Sequence, residues 1–203
     1  GIEFIALAKG IERVKEEFSK SFPNIPIYIS TAEKDISTFA PNSIVISTPG
    51  VEPRMVRYEG LVLLDGVSRM NRPTLRSEEL LANHWLRLVA LTTEDASVYS
   101  SLPISNRISQ ALIAANPYRF TSSLLRERKE TKLPPYYRVI QVKGDGLSTL
   151  AEKIAAEFPG VEISKISKSG ELIIRAEVGN SQEVISALHS LSKYRAASSK
   201  SYL

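Results

Sequence analysis

A pair of consecutive prolines, Pro134-Pro135, divides this chain into two parts. Proline pushes the residue before it out of the α region and has no N–H for a helix ladder, so any helix before the pair must end before Leu133. The charge changes at the same place, because residues 1–125 carry 13 Lys/Arg and 13 Asp/Glu whereas residues 126–203 carry 13 and 9. The whole net charge of +4 therefore belongs to the C-terminal part. We expect two domains, residues 1–132 and residues 133–203.

The composition excludes several classes of protein. The chain has no cysteine and only two histidines, His84 and His189, so neither a disulfide framework nor a dedicated zinc site is expected. No apolar run approaches the roughly 18 residues of a membrane span, and the first ten residues lack the basic segment and cleavage site of a signal peptide. These features predict a cytoplasmic protein that binds no structural metal by itself.

In the first part of the chain, short apolar runs alternate with amphipathic segments. Strands are predicted at Phe4–Ala8, Ile25–Ser30, Ser43–Thr48, Gly60–Leu64 and Ala96–Leu102, and helices at Gly10–Phe22, Leu75–Leu91, Ser105–Asn116 and Pro117–Thr131. Continuous Val, Ile and Leu runs between helices are typical of a mainly parallel sheet covered on both faces. We therefore expect an α/β fold for this part.

The second part has a different order of elements. Strands are predicted at Tyr137–Lys143, Val161–Ile166 and Glu171–Val178, helices at Leu147–Phe158 and Ser181–Tyr194, and an extended piece at Lys200–Leu203. The order β-α-β-β-α-(β) matches a split βαβ, ferredoxin-like plan. The last strand would only begin at the end of the chain. We therefore expect a small α+β domain truncated in its last strand, in a fragment of a longer protein.

The excess of cations in the second part favours contact with DNA, because cations near a duplex gain free energy from counterion release. The candidate residues are Arg126, Arg128, Lys129, Lys132, Arg138, Lys143, Lys165, Lys168 and Arg175. The alternative is an ordinary solvated charged face. Glu127 and Glu130 interleave with the basic residues of the helix before the prolines and favour that alternative there. The loop Lys165–Gly170 contains no acidic residue and is the stronger candidate.

The sequence shows no recognisable catalytic or nucleotide-binding motif. Neither Lys9-Gly10 nor Thr48-Pro49-Gly50 has the glycines and lysine that cradle phosphates. The loops after parallel strands, residues 48–54 and 65–72, remain the plausible place for a pocket. His84 lies on an apolar helix, where a packed or surface histidine is the usual interpretation. The predicted strands 161–166 and 171–178 contain no aromatic residue, which argues against base stacking in the manner of an RNA-recognition sheet.

Several short motifs occur in an order typical of one family. They are Lys9-Gly10-Ile11-Glu12-Arg13-Val14, Phe22-Pro23, Ile44–Gly50, Leu63-Leu64-Asp65, Leu75-Arg76-Ser77-Glu78-Glu79, Leu124–Arg128 and Leu133-Pro134-Pro135. Over nearly its full length the chain resembles the C-terminal half of the primosomal protein N′ family, the PriA-type replication-restart factors, and in particular their degenerate actinobacterial branch. The resemblance implies a RecA-like second helicase lobe followed by a ferredoxin-like, S10-like domain.

The chain departs from the helicases of that family at three motifs. The compared positions are Gly10, Glu12, Arg13, Thr48, Gly50, Arg87, Leu91 and Glu94. The second position of Gly-Thr-Glu-Arg is Ile11, and the lysine and second glycine after Gly50 are missing. Where the family has two arginines, the alignment gives Leu91 and Glu94. Arginine fingers contribute about 10³–10⁵ to phosphoryl-transfer rates, so the resemblance implies a degenerate lobe and leaves ATP hydrolysis in question.

The expected function is that of a non-catalytic C-terminal fragment of a replication-restart protein that binds branched or stalled-fork DNA. The resemblance implies no cofactor in this chain, a zinc module upstream, and a single-stranded-DNA-binding protein and other primosome components as partners. Two alternatives stay open. One is the second lobe of an active ATP-dependent 3′-5′ DNA helicase, which a Walker lysine upstream would favour. The other is an S10-like RNA-binding module, which leaves residues 1–125 without a role.

Overall fold

The computed structural model describes residues 8–190, which form two compact units divided between Leu112 and Ile113. The elements are α1 Ala8–Ser21, β1 Ile27–Ser30, β2 Ile44–Ser47, β3 Tyr58–Leu63, α2 Gly66–Met70, α3 Ser77–Val89, β4 Thr92–Ser100, α4 Arg107–Ile113, α5 Pro117–Glu130, β5 Tyr137–Lys143, α6 Leu147–Glu157, β6 Glu162–Ile163, β7 Glu171–Glu177 and α7 Ser181–Ser190. The general α/β class expected from the sequence is confirmed.

The first unit contains two small parallel sheets. Strand β1 pairs with β2, beginning at Ile27 opposite Ile44, and β3 pairs with β4 with Leu61 opposite Val98. The parallel direction agrees with the prediction, but residues 8–190 hold two separate two-stranded sheets in place of one larger sheet. The alternation of apolar runs predicts strands and their direction. It does not determine which strands become neighbours.

Helix α3 carries the most buried side chains of the first unit. Leu81, Trp85 and Leu88 lie at helical spacing on one face, and all three are buried. Helix α2, which begins at Gly66, was not among the predicted elements. There is almost no space for a side chain at Gly66, because an added Cβ would lie 2.6 Å from Cη2 of Trp85 and from Cγ of Leu102. With five residues, α2 is too short to show a helical period in the sequence.

The second unit contains an antiparallel three-stranded sheet in the order β5-β7-β6. Its core consists of inward-facing strand residues and one face of each of α6 and α7: Ile140, Val142, Leu147, Leu150, Ile154, Leu172, Ile174, Ala176, Val184 and Leu188. The predicted alternation along β7 is confirmed, because Leu172, Ile174 and Ala176 are buried. Strand β6 is shorter than predicted, since its pairing with β7 ends at Ile163.

Helix α5 ends where the sequence requires it. Its N-cap residue Asn116 accepts a hydrogen bond from the backbone N–H of Tyr118, Pro117 occupies the first turn, and the helix ends at Glu130. The following peptide bond between Pro134 and Pro135 is cis. The division after Leu112 assigns α5 to the second unit, whereas the predicted domain boundary after residue 132 assigns it to the first.

Three predicted segments fall wholly or partly outside the described residues. They are the strand Phe4–Ala8 apart from Ala8, which begins α1, the last turn of the helix Ser181–Tyr194, and the extended piece Lys200–Leu203. Within residues 8–190, none of the helices has the length and apolar character needed to cross a membrane.

Candidate nucleic-acid interface and motif cavity

The loop of residues 164–170 joins β6 to β7 and is closed by its own serines. The backbone N–H of Ser164 donates to the carbonyl of Ile173 at 2.9 Å, and the N–H of Ile173 donates back to Oγ of Ser164 at 3.0 Å. Nearer the tip, the N–H of Ser167 donates to the carbonyl of Glu171 at 2.8 Å, and Oγ of Ser167 accepts from the N–H of Glu171 at 3.0 Å. These hydrogen bonds fix the backbone, and we call residues 164–170 the hairpin loop.

The two lysines of the hairpin loop carry free charges. Lys165 and Lys168 are exposed, and neither side chain forms a hydrogen bond or an ion pair with any part of the chain that the structure describes, although the backbone carbonyl of Lys165 accepts from Oγ of Ser164 at 3.0 Å. Between them Ile166 is 44 % exposed. The loop therefore presents two uncompensated cations on either side of an exposed apolar side chain.

Three other candidate cations are engaged by glutamates of the same unit. Lys143 pairs with Glu171 on the neighbouring strand. Glu162 accepts from Nη1 of Arg175 at 3.2 Å, and its other oxygen lies 3.9 Å from Nζ of Lys132. The hydrogen bond from Lys143 outweighs desolvation and lowers the pKa of Glu171. Contact of these cations with a phosphate would compete with an existing carboxylate.

The remaining candidates lie on or near α5 and at the start of β5. Arg128 is only 7 % exposed, and its Nη1 donates to the carbonyl of Pro134 at 3.4 Å. Its guanidinium is therefore bound inside the unit. Nζ of Lys129 lies 5.9 Å from the centroid of the Tyr136 ring, a cation–π distance. Arg126 and Arg138 are exposed. Those two and Lys129 remain accessible to a ligand.

In the first unit, a cavity of about 210 Å³ brings together parts of two of the compared motifs. It is lined by Gly50, Glu52, Arg54, Leu80, Asn83, His84, Arg87, Leu88 and Leu91. Gly50 of one motif and Arg87 and Leu91 of another thus share one cavity. Among the other compared positions, Thr48 follows β2, Glu94 is exposed on β4, and Gly10, Glu12 and Arg13 lie on α1.

A chain of hydrogen bonds runs along one wall of this cavity. The Glu52 carboxylate accepts from the backbone N–H of Gly50 at 3.0 and 3.1 Å, and Glu52 Oε1 lies 2.6 Å from Nε2 of His84. Nδ1 of His84 lies 2.9 Å from Nη1 of Arg69. Because a guanidinium can only donate, Nδ1 accepts from Arg69 and the ring proton lies on Nε2, where it donates to Glu52. One histidine thus connects the loop after β2, helix α2 and helix α3.

The electrostatics of this wall follow from burial and from these contacts. Desolvation alone would raise the pKa of Glu52, but the hydrogen bonds from His84 and from backbone N–H groups outweigh it, so that pKa is lowered. Burial and the charge of Glu52 raise the pKa of Tyr58. Burial, followed by the charge of Arg72, lowers the pKa of Arg69. The wall therefore favours an ionised Glu52.

No motif in the sequence points to Glu52 or Arg69, and the sequence predicts His84 only as a packed or surface histidine. A partial signal existed, since Glu52 lies in one of the two loops, residues 48–54, that were expected to border a pocket. Glu52 and His84 are 32 positions apart, so no local pattern could pair them. Glu52 and His84 come together only because α3, which carries His84, lies beside the loop of residues 48–54 in the folded unit.

Within the described range 8–190, no three His, Asp or Glu side chains are grouped so that they could hold a metal ion. No family model matches this sequence, and no curated protein matches it significantly. The resemblance to primosomal protein N′ therefore stays a prediction.

Proposed function

We propose that this chain is the non-catalytic C-terminal part of a cytoplasmic, PriA-type replication-restart protein and that its second unit contacts the backbone of branched DNA. The observation that carries the DNA contact is the pair of exposed, unpaired lysines, Lys165 and Lys168, on a loop whose backbone is fixed by hydrogen bonds. A fixed loop loses little conformational entropy on binding, so more of the electrostatic free energy contributes to affinity.

The topology of the second unit supports the family proposal. Its strand order β5-β7-β6 is the order of the first, third and second strands of a ferredoxin-like sheet, and α6 and α7 follow the first and third of these strands. We propose on this basis that the unit is an S10-like, ferredoxin-like domain. The proposal that the first unit is a degenerate RecA-like lobe rests on the order of its sequence motifs.

The cavity of the first unit supports a lobe without motor chemistry. The backbone N–H of Gly50 is bound to the chain's own carboxylate, Glu52, and is therefore not free for a phosphate. Leu91 lines the cavity at a position where the family has an arginine. Phosphoryl transfer requires several donors fixed around one phosphate. Glu52 and Leu91, a carboxylate and an apolar side chain, supply no such donors in this cavity.

A second candidate, an active helicase lobe, is favoured by one observation. Arg87 lines the same cavity as Gly50 and is exposed, so it could replace a missing arginine. The test is ATP hydrolysis by the full-length protein with forked DNA, compared with the Arg87→Ala variant. We expect no DNA-stimulated turnover in either protein. Stimulated turnover that Arg87→Ala abolishes would establish the helicase instead.

The DNA contact is tested by titrating the 203-residue chain into labelled forked DNA over a range of salt concentrations. Replacing Lys165 and Lys168 by Glu should weaken binding by about tenfold or more at low salt and reduce the slope of log K against log[salt] by roughly two. The matched control replaces Lys153 and Arg119, two exposed cations of the same unit, by Glu. Equal losses in both double variants would mean that net charge, and not this loop, determines binding.

The proposed protein partners are a single-stranded-DNA-binding protein and other primosome components. The family places basic side chains early in the last helix to receive the acidic tail of that binding protein. Here the first turn of α7 carries Gln182 and Glu183, and Glu157 borders the same groove. We therefore expect a calorimetric titration with the acidic tail peptide to give no binding heat at this groove.

A further inference from the structure

The hairpin loop combines two cations with an apolar side chain on a backbone that hydrogen bonds hold in place. Ile166 lies between Lys165 and Lys168 in the chain, beyond the end of the β6–β7 pairing at Ile163. The hydrogen bonds of Ser164 and Ser167 hold the backbone on both sides of Lys165 and Ile166, whereas Lys168 lies in the turn beyond Ser167. Oγ of Ser167 also lies 2.9 Å from Oγ of Ser169, so these two hydroxyls form a hydrogen bond with each other. The backbone of the loop is thus preformed.

Contact with phosphates alone explains the lysines but leaves Ile166 without a role. Phosphates and water are poor partners for an isoleucine, whereas the faces of bases are apolar enough to bury it. Proteins that bind the minor groove of DNA insert single Ile, Leu, Met or Phe side chains as wedges between partly unstacked bases. Because Lys165 and Lys168 lie within two residues of Ile166 in the chain, phosphates bound by these lysines would bring Ile166 close to the bases of the same DNA segment.

The free-energy cost of unstacking bases decides which DNA a loop with such an apolar side chain prefers. In a continuous duplex, a wedge must first unstack neighbouring base pairs, which offsets the gain from its burial. At a strand junction one face of the terminal base pair is already open, so that cost is largely absent. A loop with one apolar side chain has little area to offset unstacking and therefore favours the junction.

We propose that Ile166 packs against the open face of the terminal base pair at a single-strand/double-strand junction, while Lys165 and Lys168 contact the adjacent phosphates. This inference rests on the proposed function, because it requires that the second unit binds DNA. It assigns to the hairpin loop a preference for branched over continuous DNA. This preference comes from shape and stacking and does not depend on the base sequence.

The experiment measures binding of the 203-residue chain to a fork and to a continuous duplex with the same number of phosphates. A 2-aminopurine base at the junction reports stacking. The Ile166→Ser variant is compared with Ile104→Ser, which alters a 72 % exposed isoleucine of the first unit. We expect Ile166→Ser to weaken fork binding about fivefold, to leave duplex binding within about twofold, and to abolish the 2-aminopurine signal. Thermal unfolding of each variant verifies that the fold is retained.

Two outcomes separate this inference from the proposed function. If the double variant of Lys165 and Lys168 to Glu weakens binding but Ile166→Ser behaves like Ile104→Ser, the DNA contact stands and the wedge is refuted. If the lysine variant binds both DNAs as tightly as the unaltered chain, the proposed DNA contact itself fails, and the wedge fails with it. Equal weakening on fork and duplex by Ile166→Ser would also refute the junction preference.

Discussion

The contact between Glu52 and His84 gives the sharpest quantitative expectation. Glu52 Oε1 lies 2.6 Å from Nε2 of His84, and the two side chains are only 13 % and 20 % exposed. A hydrogen bond to a charged group contributes about 1.5–3 kcal/mol. Because both groups are mostly desolvated but still border a cavity, we expect the lower half of that range, about 1.5–2 kcal/mol of coupling between them.

A double-mutant cycle isolates this coupling from other effects of each substitution. The free energy of unfolding is measured in urea at pH 7 for the unaltered chain, Glu52→Ala, His84→Ala and the double variant. Each single variant also loses a second contact, with Arg69 in His84→Ala and with the Gly50 N–H in Glu52→Ala, and the cycle removes both of these effects from the coupling. The matched control is a second cycle on Arg13 and Glu17, a surface pair whose side chains are 80 % and 62 % exposed. That pair should couple by about 0.3–0.5 kcal/mol.

The pH dependence gives an independent measurement of the same contact. Because the folded-state pKa of Glu52 is lowered, its contribution to stability is present above its unfolded-state pKa and is lost as the pH falls through the folded-state value. The stability difference between the unaltered chain and Glu52→Gln should therefore be largest near pH 7 and shrink below about pH 4. A coupling no larger than that of Arg13 with Glu17, or a difference that grows on acidification, would refute the reasoning.

Three further substitutions have defined expected effects. Gly66→Ala should destabilise the chain by about 1–3 kcal/mol in urea unfolding, because its Cβ would meet buried side chains, whereas Gly10→Ala has nothing within 4 Å and should stabilise by about 0.5–1 kcal/mol. Arg128→Met should lower stability by about 1–3 kcal/mol without changing fork affinity per folded molecule; a selective loss of affinity would return Arg128 to the interface. Glu162→Gln should free Arg175 and tighten fork binding roughly threefold at low salt, and an unchanged fluorescence titration would contradict this.

Most elements of the fold were predictable because their signals are local. Strand β5 begins and ends at the predicted residues. Helices α1, α3, α5 and α6 begin and end within two residues of their predicted bounds. A helical or alternating period repeats within a few residues, and the proline pair forbids a helix wherever it occurs. The candidate site was predictable only in part. The absence of acidic residues marks the hairpin loop as a candidate in the sequence, but no sequence pattern predicts its closure by serines.

The sequence by itself determined where the chain forms helices and strands, where α5 must end and which part carries the net charge, since each depends on residues close together in the chain. Only the tertiary structure decided which charges are free. Lys143 and Lys168 are alike in sequence, yet one is paired with Glu171 across two strands and the other points to no partner in residues 8–190. The contact of Glu52 with His84 likewise depends on packing between distant segments. Coulomb interactions and hydrogen bonds act over a few ångströms in space, and distance along the chain does not fix that separation.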